Sequence, residues 1–450
     1  MSRSRAGVVV FAMVGACLMI AAGPAPASTV CTGATITGTA GADVIDGTSS
    51  DDVIDALGGA DTVDGMGGND LICGGAGGDH LAGGDGADTL VGGTEADTLL
   101  GGLGNDILAG GADADSLSGG DGDDLLSGDA GDDSLRGNAG IEDRATFASS
   151  RHPVAVNLET GLAIGDGTDH LGGVEHLIGS RFGDVLAGDA GQNMLEGGGG
   201  ADFIFGGLAN DTILGGAGAD HLTGGVGNDL LDGGPGDDRV EAGQGADDVN
   251  AGPGNDVAAG GKGNDAVRGS LGNDALDTGL GSAGADEVVG GRGDDLLGGG
   301  LGNDDLVGGP GTDGATWAAA GQAVNASLTE GTATGNGTDS LAGIDGLTGT
   351  DQPDTLTGDG SANVLRGQAG DDRLIGLGGA DRAFGGAGGD TVQGGRGDDA
   401  VSGDDDDDDL AGGPGRDQLD GGSGVDAGDG GPGNDSCVDV EDARSCREPA

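Results

Sequence analysis

Hydrophobic positions along this chain recur every nine residues, one at a time. In the first stretch they are Ile45, Ile54, Val63, Ile72, Leu81, Leu90, Leu99, Leu108, Leu117, Leu126 and Leu135. Two residues before each stands an aspartate, and the rest of the period is rich in glycine, as in GGAGGDHLA from Gly74 to Ala82 and GGLGNDILA from Gly101 to Ala109. Eleven such nonapeptides run from Gly38 to Arg136, eleven from Gly179 to Asp277, four from Gly281 to Thr316 after a slip of three residues, and ten from Gly349 to Val438. A period of nine is that of neither an amphipathic helix nor a long alternating strand. It predicts a three-residue strand at positions seven to nine, whose middle side chain points inward, and a six-residue turn in which glycine tolerates positive φ. Two nonapeptides then complete one coil, and coils stacked about 4.8 Å apart form two parallel sheets over a thin aliphatic core. The expected fold class is all-β, a parallel β-solenoid of three arrays separated by two short β spacers.

The period vanishes from Asp143 to Ile178 and from Asp313 to Thr348, and the two stretches align without a gap at an offset of 170 residues. Asp143-Arg144-Ala145-Thr146-Phe147-Ala148 matches Asp313-Gly314-Ala315-Thr316-Trp317-Ala318, and Gly165-Asp166-Gly167-Thr168-Asp169 matches Gly335-Asn336-Gly337-Thr338-Asp339. They are copies of one element, and internal duplication explains them. Alternation over residues 154–158 predicts a strand, followed by a glycine turn and a second strand near 162–164. Phe147 or Trp317 is expected to cover the open end of a stack. The resulting division is residues 1–27, 28–136 with an N-terminal cap, a spacer at 137–178, 179–316, a spacer at 317–348, 349–438, and a tail at 439–450.

Composition changes the picture, because 112 of 450 residues are glycine, aromatics are 2 %, tyrosine is absent and the formal net charge is -62. Such a chain reads as disordered unless something supplies counter-charge. The charge also excludes nucleic acid as a partner. At the N-terminus Arg3 and Arg5 precede an apolar run from Ala6 to Gly23 and the tripeptide Ala25-Pro26-Ala27. This pattern predicts a secretory signal peptide over residues 1–27 and a secreted, extracellular protein with no membrane span in the mature chain. Cys31, Cys73, Cys437 and Cys446 then form an even set in an exported chain. Proximity favours Cys31 with Cys73 and Cys437 with Cys446, among three possible connectivities.

Stacking brings aspartates 18 residues apart onto one edge, where two unit charges repel by about 1 kcal/mol in bulk water and by several times that when partly buried. One leucine contributes only about 2 kcal/mol by burial. A hard divalent cation reverses the sign of the repulsion, and calcium, with six to eight oxygens in flexible geometry, suits carboxylates and turn carbonyls better than magnesium does. Folding is then expected to depend on calcium. Position six is aspartate in 34 of the 36 nonapeptides, Asn193 and Asn363 being the exceptions. The candidate ligands are Asp43, Asp52, Asp61, Asp70, Asp79, Asp88, Asp97, Asp106, Asp115, Asp124 and Asp133 in the first array. In the second they are Asp184, Asp202, Asp211, Asp220, Asp229, Asp238, Asp247, Asp256, Asp265, Asp274, Asp286, Asp295 and Asp304. The third supplies Asp354, Asp372, Asp381, Asp390, Asp399, Asp408, Asp417 and Asp435.

With its motif Gly-Gly-x-Gly-x-Asp-x-(aliphatic)-x repeated over about three quarters of its length, the chain resembles the haemolysin-type calcium-binding family, the RTX nonapeptide repeats. The resemblance implies a parallel β-roll in which position-six aspartates and loop carbonyls bind several Ca2+ ions. Asp79, Asp88, Asp106, Asp124, Asp211, Asp220, Asp229, Asp390 and Asp399 are among the best matches. Thr94-Glu95, Asp113 and Gly428 depart from the consensus, and Asp404 to Asp409 form a run of six aspartates that reads as a solvated turn. His80, His152, His170, His176 and His221 are scattered, and no nucleophile elbow, zinc-protease helix or P-loop is present, so no catalytic residue and no enzymatic activity is expected. Calcium ions are the expected partners. The alternatives are a calcium-stiffened adhesin that contacts a cell-surface glycan or matrix, and, less so, an RTX-type enzyme.

Overall fold

The computed structural model describes residues 31–279 and 284–447, and the expected signal peptide lies outside the described residues. Among the described residues there is no helix, and hence none long and apolar enough to cross a membrane. The chain divides into two compact units, Met1–Asp189 with Asn193–Gly200, and Ala190–Gln192 with Ala201–Ala450. Each is a parallel β-solenoid.

In the first unit successive strands alternate between two sheets. Leu71–Ala76, Thr89–Thr94, Ile107–Ala112 and Leu125–Ala130 stack in one, while His80–Asp85, Thr98–Leu103, Ser116–Asp121 and Ser134–Ala139 stack in the other. Along these strands the register is 18 residues: Ile72 faces Leu90, which faces Leu108, which faces Leu126. Leu81, Leu99, Leu117 and Leu135 form the matching column opposite. All eight side chains are buried. The core is therefore two facing columns, one aliphatic residue per nonapeptide, as the periodicity predicts. The second unit repeats the plan, with Ile204 facing Leu222, which faces Val240, and Leu374 facing Val392. Where the count of nine slips, pairing continues at a register of 21, with Val267 opposite Val288 and Leu276 opposite Leu297. Both columns continue across the slip.

Strand length differs from the expectation. Many strands have six residues, not three, and the turn is correspondingly shorter. In His80–Asp85 the inward residues are Leu81 and Gly83, so position one continues the strand and turns its bare α-carbon to the interior. Glycine here is a strand residue: Gly84 pairs with Gly102 as Leu81 pairs with Leu99.

The spacers are threaded into the stack. In the first, Ser134–Ala139 pairs across the interruption with Thr168–Gly172, and Arg144–Thr146 pairs with His176–Ile178. The surplus chain forms an antiparallel excursion: Ala155–Asn157 pairs with Leu162–Ile164, which pairs with Thr168–Gly172. Both strands were expected from the alternation. The second spacer repeats the arrangement with Asn325–Ser327, Thr332–Thr334 and Thr338–Ala342. The aromatics do not cover an open end. Phe147 donates its backbone N–H to Ile178 and Trp317 to Thr348, both between stacked coils. Trp317 is buried, and its indole Nε1 donates to Asp339 Oδ2 at 3.1 Å. Trp317→Phe keeps the ring but leaves that carboxylate oxygen without its donor. It is expected to cost about 1–3 kcal/mol, read as a lower midpoint of thermal unfolding in calcium.

Both expected disulfides are present, Cys31–Cys73 and Cys437–Cys446. The first ties the start of the described chain to the second coil, with Val53, Leu71 and Val91 packed around it.

Candidate metal centre

Position six ends the turn and turns its carboxylate into the stack. Its Oδ1 accepts the backbone N–H of the aspartate 18 residues earlier: Asp70 donates to Asp88, Asp88 to Asp106 and Asp106 to Asp124, each at 2.8 Å. A parallel ladder runs through Asp79, Asp97, Asp115 and Asp133 at 2.7–2.8 Å. The third array repeats it, with Asp372 donating to Asp390 and Asp390 to Asp408. One oxygen of each carboxylate is thus used in holding two coils in register.

The other oxygen is not. Oδ2 of Asp79, Asp88, Asp106, Asp124, Asp229, Asp390 and Asp399 is buried and has no hydrogen-bond donor. It points at the position-one glycine of its own repeat. A Cβ placed on Gly83 would lie 2.3 Å from Asp88 Oδ2 and 2.7 Å from the carbonyl oxygen of Gly101, and Gly385 stands in the same relation to Asp390 Oδ2 (2.2 Å) and Gly403 O (2.7 Å). The cradle is therefore lined by a carboxylate oxygen and a carbonyl oxygen, both acceptors. Two acceptors facing each other in a buried space require a proton or a cation between them. Burial accordingly raises these carboxyls: Asp97 and Asp106 to about 7 and Asp115 to about 8, with the charges of neighbouring rungs adding to the effect.

Among the described residues no three histidine, cysteine or carboxylate side chains converge. A metal ion must complete its shell with backbone carbonyls. Hard, all-oxygen donors of this kind fit calcium and offer nothing to a thiophilic metal. The fit predicts a clear result for Gly83→Ala. Its methyl group would occupy the cradle, costing about 1–3 kcal/mol by overpacking and removing an ion from that rung. Gly172→Ala is the control, since nothing lies within 4 Å of its Cβ. Thermal unfolding and bound calcium per chain distinguish the two.

A family model described as the RTX calcium-binding nonapeptide repeat (4 copies) matches residues 37–141, 178–315 and 339–437, about three quarters of the chain. The chain belongs to the RTX calcium-binding repeat family. No curated protein matches it. RTX membership implies that these turns bind calcium, which agrees with a donor-free oxygen in rung after rung.

The candidate aspartates are nearly all buried in the ladders; Asp43, in the first rung, is half-buried. The departures from consensus are tolerated: Glu95 and Asp113 both adopt φ of 74°, and Asp97 and Asp115 beside them keep a donor-free Oδ2. Within the run Asp404 to Asp409 only Asp408 enters a ladder, and its neighbours are exposed. At Asp43, Asp52, Asp184 and Asp354, Oδ2 instead accepts the backbone N–H of position two.

Five rungs stand outside the candidate ligands, although two of them, Asp313 and Asp426, fall at position six in the count of nine. Asp143 and Asp169 accept from Asp124 (2.8 Å) and Asp133 (3.0 Å), Asp313 and Asp339 from Asp295 (2.9 Å) and Asp304 (3.2 Å), and Asp426 from Asp408 (3.0 Å). Of the other three, Asp169 and Asp339 carried a signal as well. Gly165-x-Gly167-x-Asp169-x-Leu171 and Gly335-x-Gly337-x-Asp339-x-Leu341 carry the motif out of phase with the count of nine. Glu175, Asp345 and Glu441 also take the place of a rung, accepting from Asp143, Asp313 and Asp426.

The histidines do other work. His176 is buried, and its Nδ1 accepts the N–H of Met194 at 2.7 Å. His152 pairs with Asp166 at 2.5 Å, but the second spacer has Gln322 and Asn336 at the corresponding positions. That pair is not a shared property of the duplicated element.

Proposed function

We propose that the protein is an exported calcium-binding protein whose folding is driven by calcium at the position-six carboxylates. The observation that carries this reading is the buried, donor-free Oδ2 facing a carbonyl oxygen across the position-one glycine. Each open rung supplies Oδ2 and turn carbonyls to an ion. Bound calcium would neutralise the repulsion along the ladder and cross-link neighbouring coils. The chain's own residues do the rest: the aliphatic columns set the register, and Oδ1 holds each coil to the one before it.

Export is supported by the charged and apolar pattern of residues 1–27 and by two disulfides, which persist in oxidising compartments. The polyanion stays unfolded at the low calcium of a cytosol and folds on reaching higher calcium outside. Binding, not catalysis, is the activity. In this reading the array boundaries at residues 136, 178, 316, 348 and 438 separate stretches of calcium sites from spacer elements.

The test is a count of ions. Calorimetric titration with metal analysis of residues 28–450 is expected to find many calcium ions per chain, and conversion of several open rungs to asparagine is expected to lower the number in step. A chain that binds only one or two calcium ions sinks the proposal.

A further inference from the structure

The rungs are of two kinds, and the backbone at position two separates them. In the common kind position two has positive φ, as at Met66 (72°), Gly84 (111°), Ser270 (86°) and Gln368 (87°). The Oδ2 atoms of Asp70, Asp88, Asp274 and Asp372, four residues on, have no donor. In six rungs position two is Thr39, Thr48, Ser180, Asp189, Thr350 or Asp359, and none of these has positive φ. There the position-two N–H turns toward position six. It donates to Oδ2 of Asp43 (2.6 Å), Asp52 (2.7 Å), Asp184 (2.5 Å) and Asp354 (2.5 Å), and to Oδ1 of Asn193 and Asn363 (both 2.8 Å). The hydroxyls of Thr39 and Thr48 donate to the same oxygen at 2.9 and 2.8 Å, and those of Ser180 and Thr350 reach Oδ1 at 2.9 and 3.2 Å. In these closed rungs the chain supplies the positive dipole that an open rung lacks, and an entering ion would have to displace charge-assisted hydrogen bonds.

A second observation is independent of the first. The two position-six residues that are not aspartate, Asn193 and Asn363, are both in closed rungs. Their Nδ2 groups donate to the carbonyls of Glu175 (2.7 Å) and Asp345 (3.2 Å). A neutral amide thus stands where an open rung has a carboxylate, and at Asn363 the oxygen that faces the position-one Gly358 already accepts the position-two N–H.

The placement gives the device its meaning. The closed rungs belong to residues 38–55, 179–196 and 349–366, the first two nonapeptides of each array and hence one complete coil at its head. Each coil is braced by contacts that need no ion. The first is flanked by the Cys31–Cys73 disulfide, against which its Val53 packs. The other two rest on spacer strands: Val154 donates to Asp184 Oδ1 (2.8 Å) and Val324 to Asp354 Oδ1 (2.6 Å), with parallel pairing alongside. On their C-terminal side Asp52 and Asp354 present an N–H to the Oδ1 of the next rung, Asp70 and Asp372.

We propose that these three coils bind no calcium and act as ion-independent seeds on which calcium-loaded coils assemble toward the C-terminus. The inference rests on the calcium reading above, and the backbone conformation at position two decides which rungs are cation sites.

Hydrogen exchange followed by mass spectrometry on residues 28–450, in chelator and in calcium, tests it. In chelator, strand amides within 44–55, 185–196 and 355–366 are expected to exchange about tenfold or more slowly than those within 80–130, and calcium is expected to protect both. Equal, unprotected exchange in chelator with full protection in calcium would overturn the seeds and leave the calcium reading standing. Uniform protection in chelator would overturn both. Ion counting gives a second arm that does not depend on exchange. Asp354→Asn is expected to leave the number of bound calcium ions unchanged, whereas Asp390→Asn is expected to lower it, and an equal loss from both refutes the assignment.

Discussion

Residues 28–450 stripped of calcium at neutral pH are expected to lose most of their β-structure and to regain it cooperatively as calcium is returned. The reason is local and is repeated along the chain. Each open rung buries a carboxylate whose Oδ2 has no donor, as in Asp79, Asp106, Asp229 and Asp399. The effective penalty for an uncompensated buried ion is several kcal/mol, whereas the single aliphatic side chain of the same nonapeptide contributes about 2 kcal/mol. Without counter-charge the carboxylate wins, and it wins in every open coil. Calcium removes the penalty and adds a bond between coils, so binding and stacking reinforce each other. Magnesium, with its stricter octahedron and reluctance to shed water, is expected to be far less effective. Far-ultraviolet circular dichroism across a calcium titration, with magnesium beside it, is the measurement. A β-spectrum that persists in chelator would show that the ladder tolerates its own charge.

Acid is expected to replace calcium. Burial, before any other cause, raises the carboxyls of Asp97, Asp106, Asp247, Asp304 and Asp372 to about 7 and that of Asp115 to about 8, against an ordinary 3.8. Between those limits the folded chain holds more protons than the unfolded one, so its stability falls as pH rises and grows as pH falls. The stabilisation is complete below about pH 4, where even the unfolded carboxyls are protonated, and it is lost as pH rises through 6 to 8. In chelator the chain is therefore expected to be largely unfolded at pH 8 and to gain β-structure toward pH 4.5. Protons and calcium compete for the same oxygens, so the calcium concentration needed for half-saturation should rise over the same interval. Dichroism in chelator at the two pH values, with light scattering to detect aggregation, checks the first statement. An unfolded chain at both would mean that buried charge is not what opposes folding.

The columns of Leu81, Leu99 and Leu117 and the two disulfides were legible because each depends on a repeat or a count. The length of the strands was not. A glycine such as Gly83 reads as a turn residue, and only the need of Asp88 for space beside it makes that glycine part of a strand. The rungs at Asp169 and Asp339 were legible in principle, since their flanking glycines and leucines are intact, but a count that starts at Asp43 passes over them. What no pattern discloses is the sign of φ at position two. Leu57, Met66 and Leu377 have positive values that glycine would ordinarily supply, while Thr48 and Ser180 do not, and the difference comes from where their N–H groups find an acceptor.

The alternation of strands between two sheets has a bearing on how such a gene can change. Loss of nine residues would send every later strand to the opposite sheet. Loss of eighteen removes one coil and leaves Leu90 above Ile72, or Leu126 above Leu108, just as before. Slippage during replication within an array is therefore harmless only in steps of a full coil, and natural variants of this protein should differ in length by multiples of eighteen residues, with the spacers carried along intact.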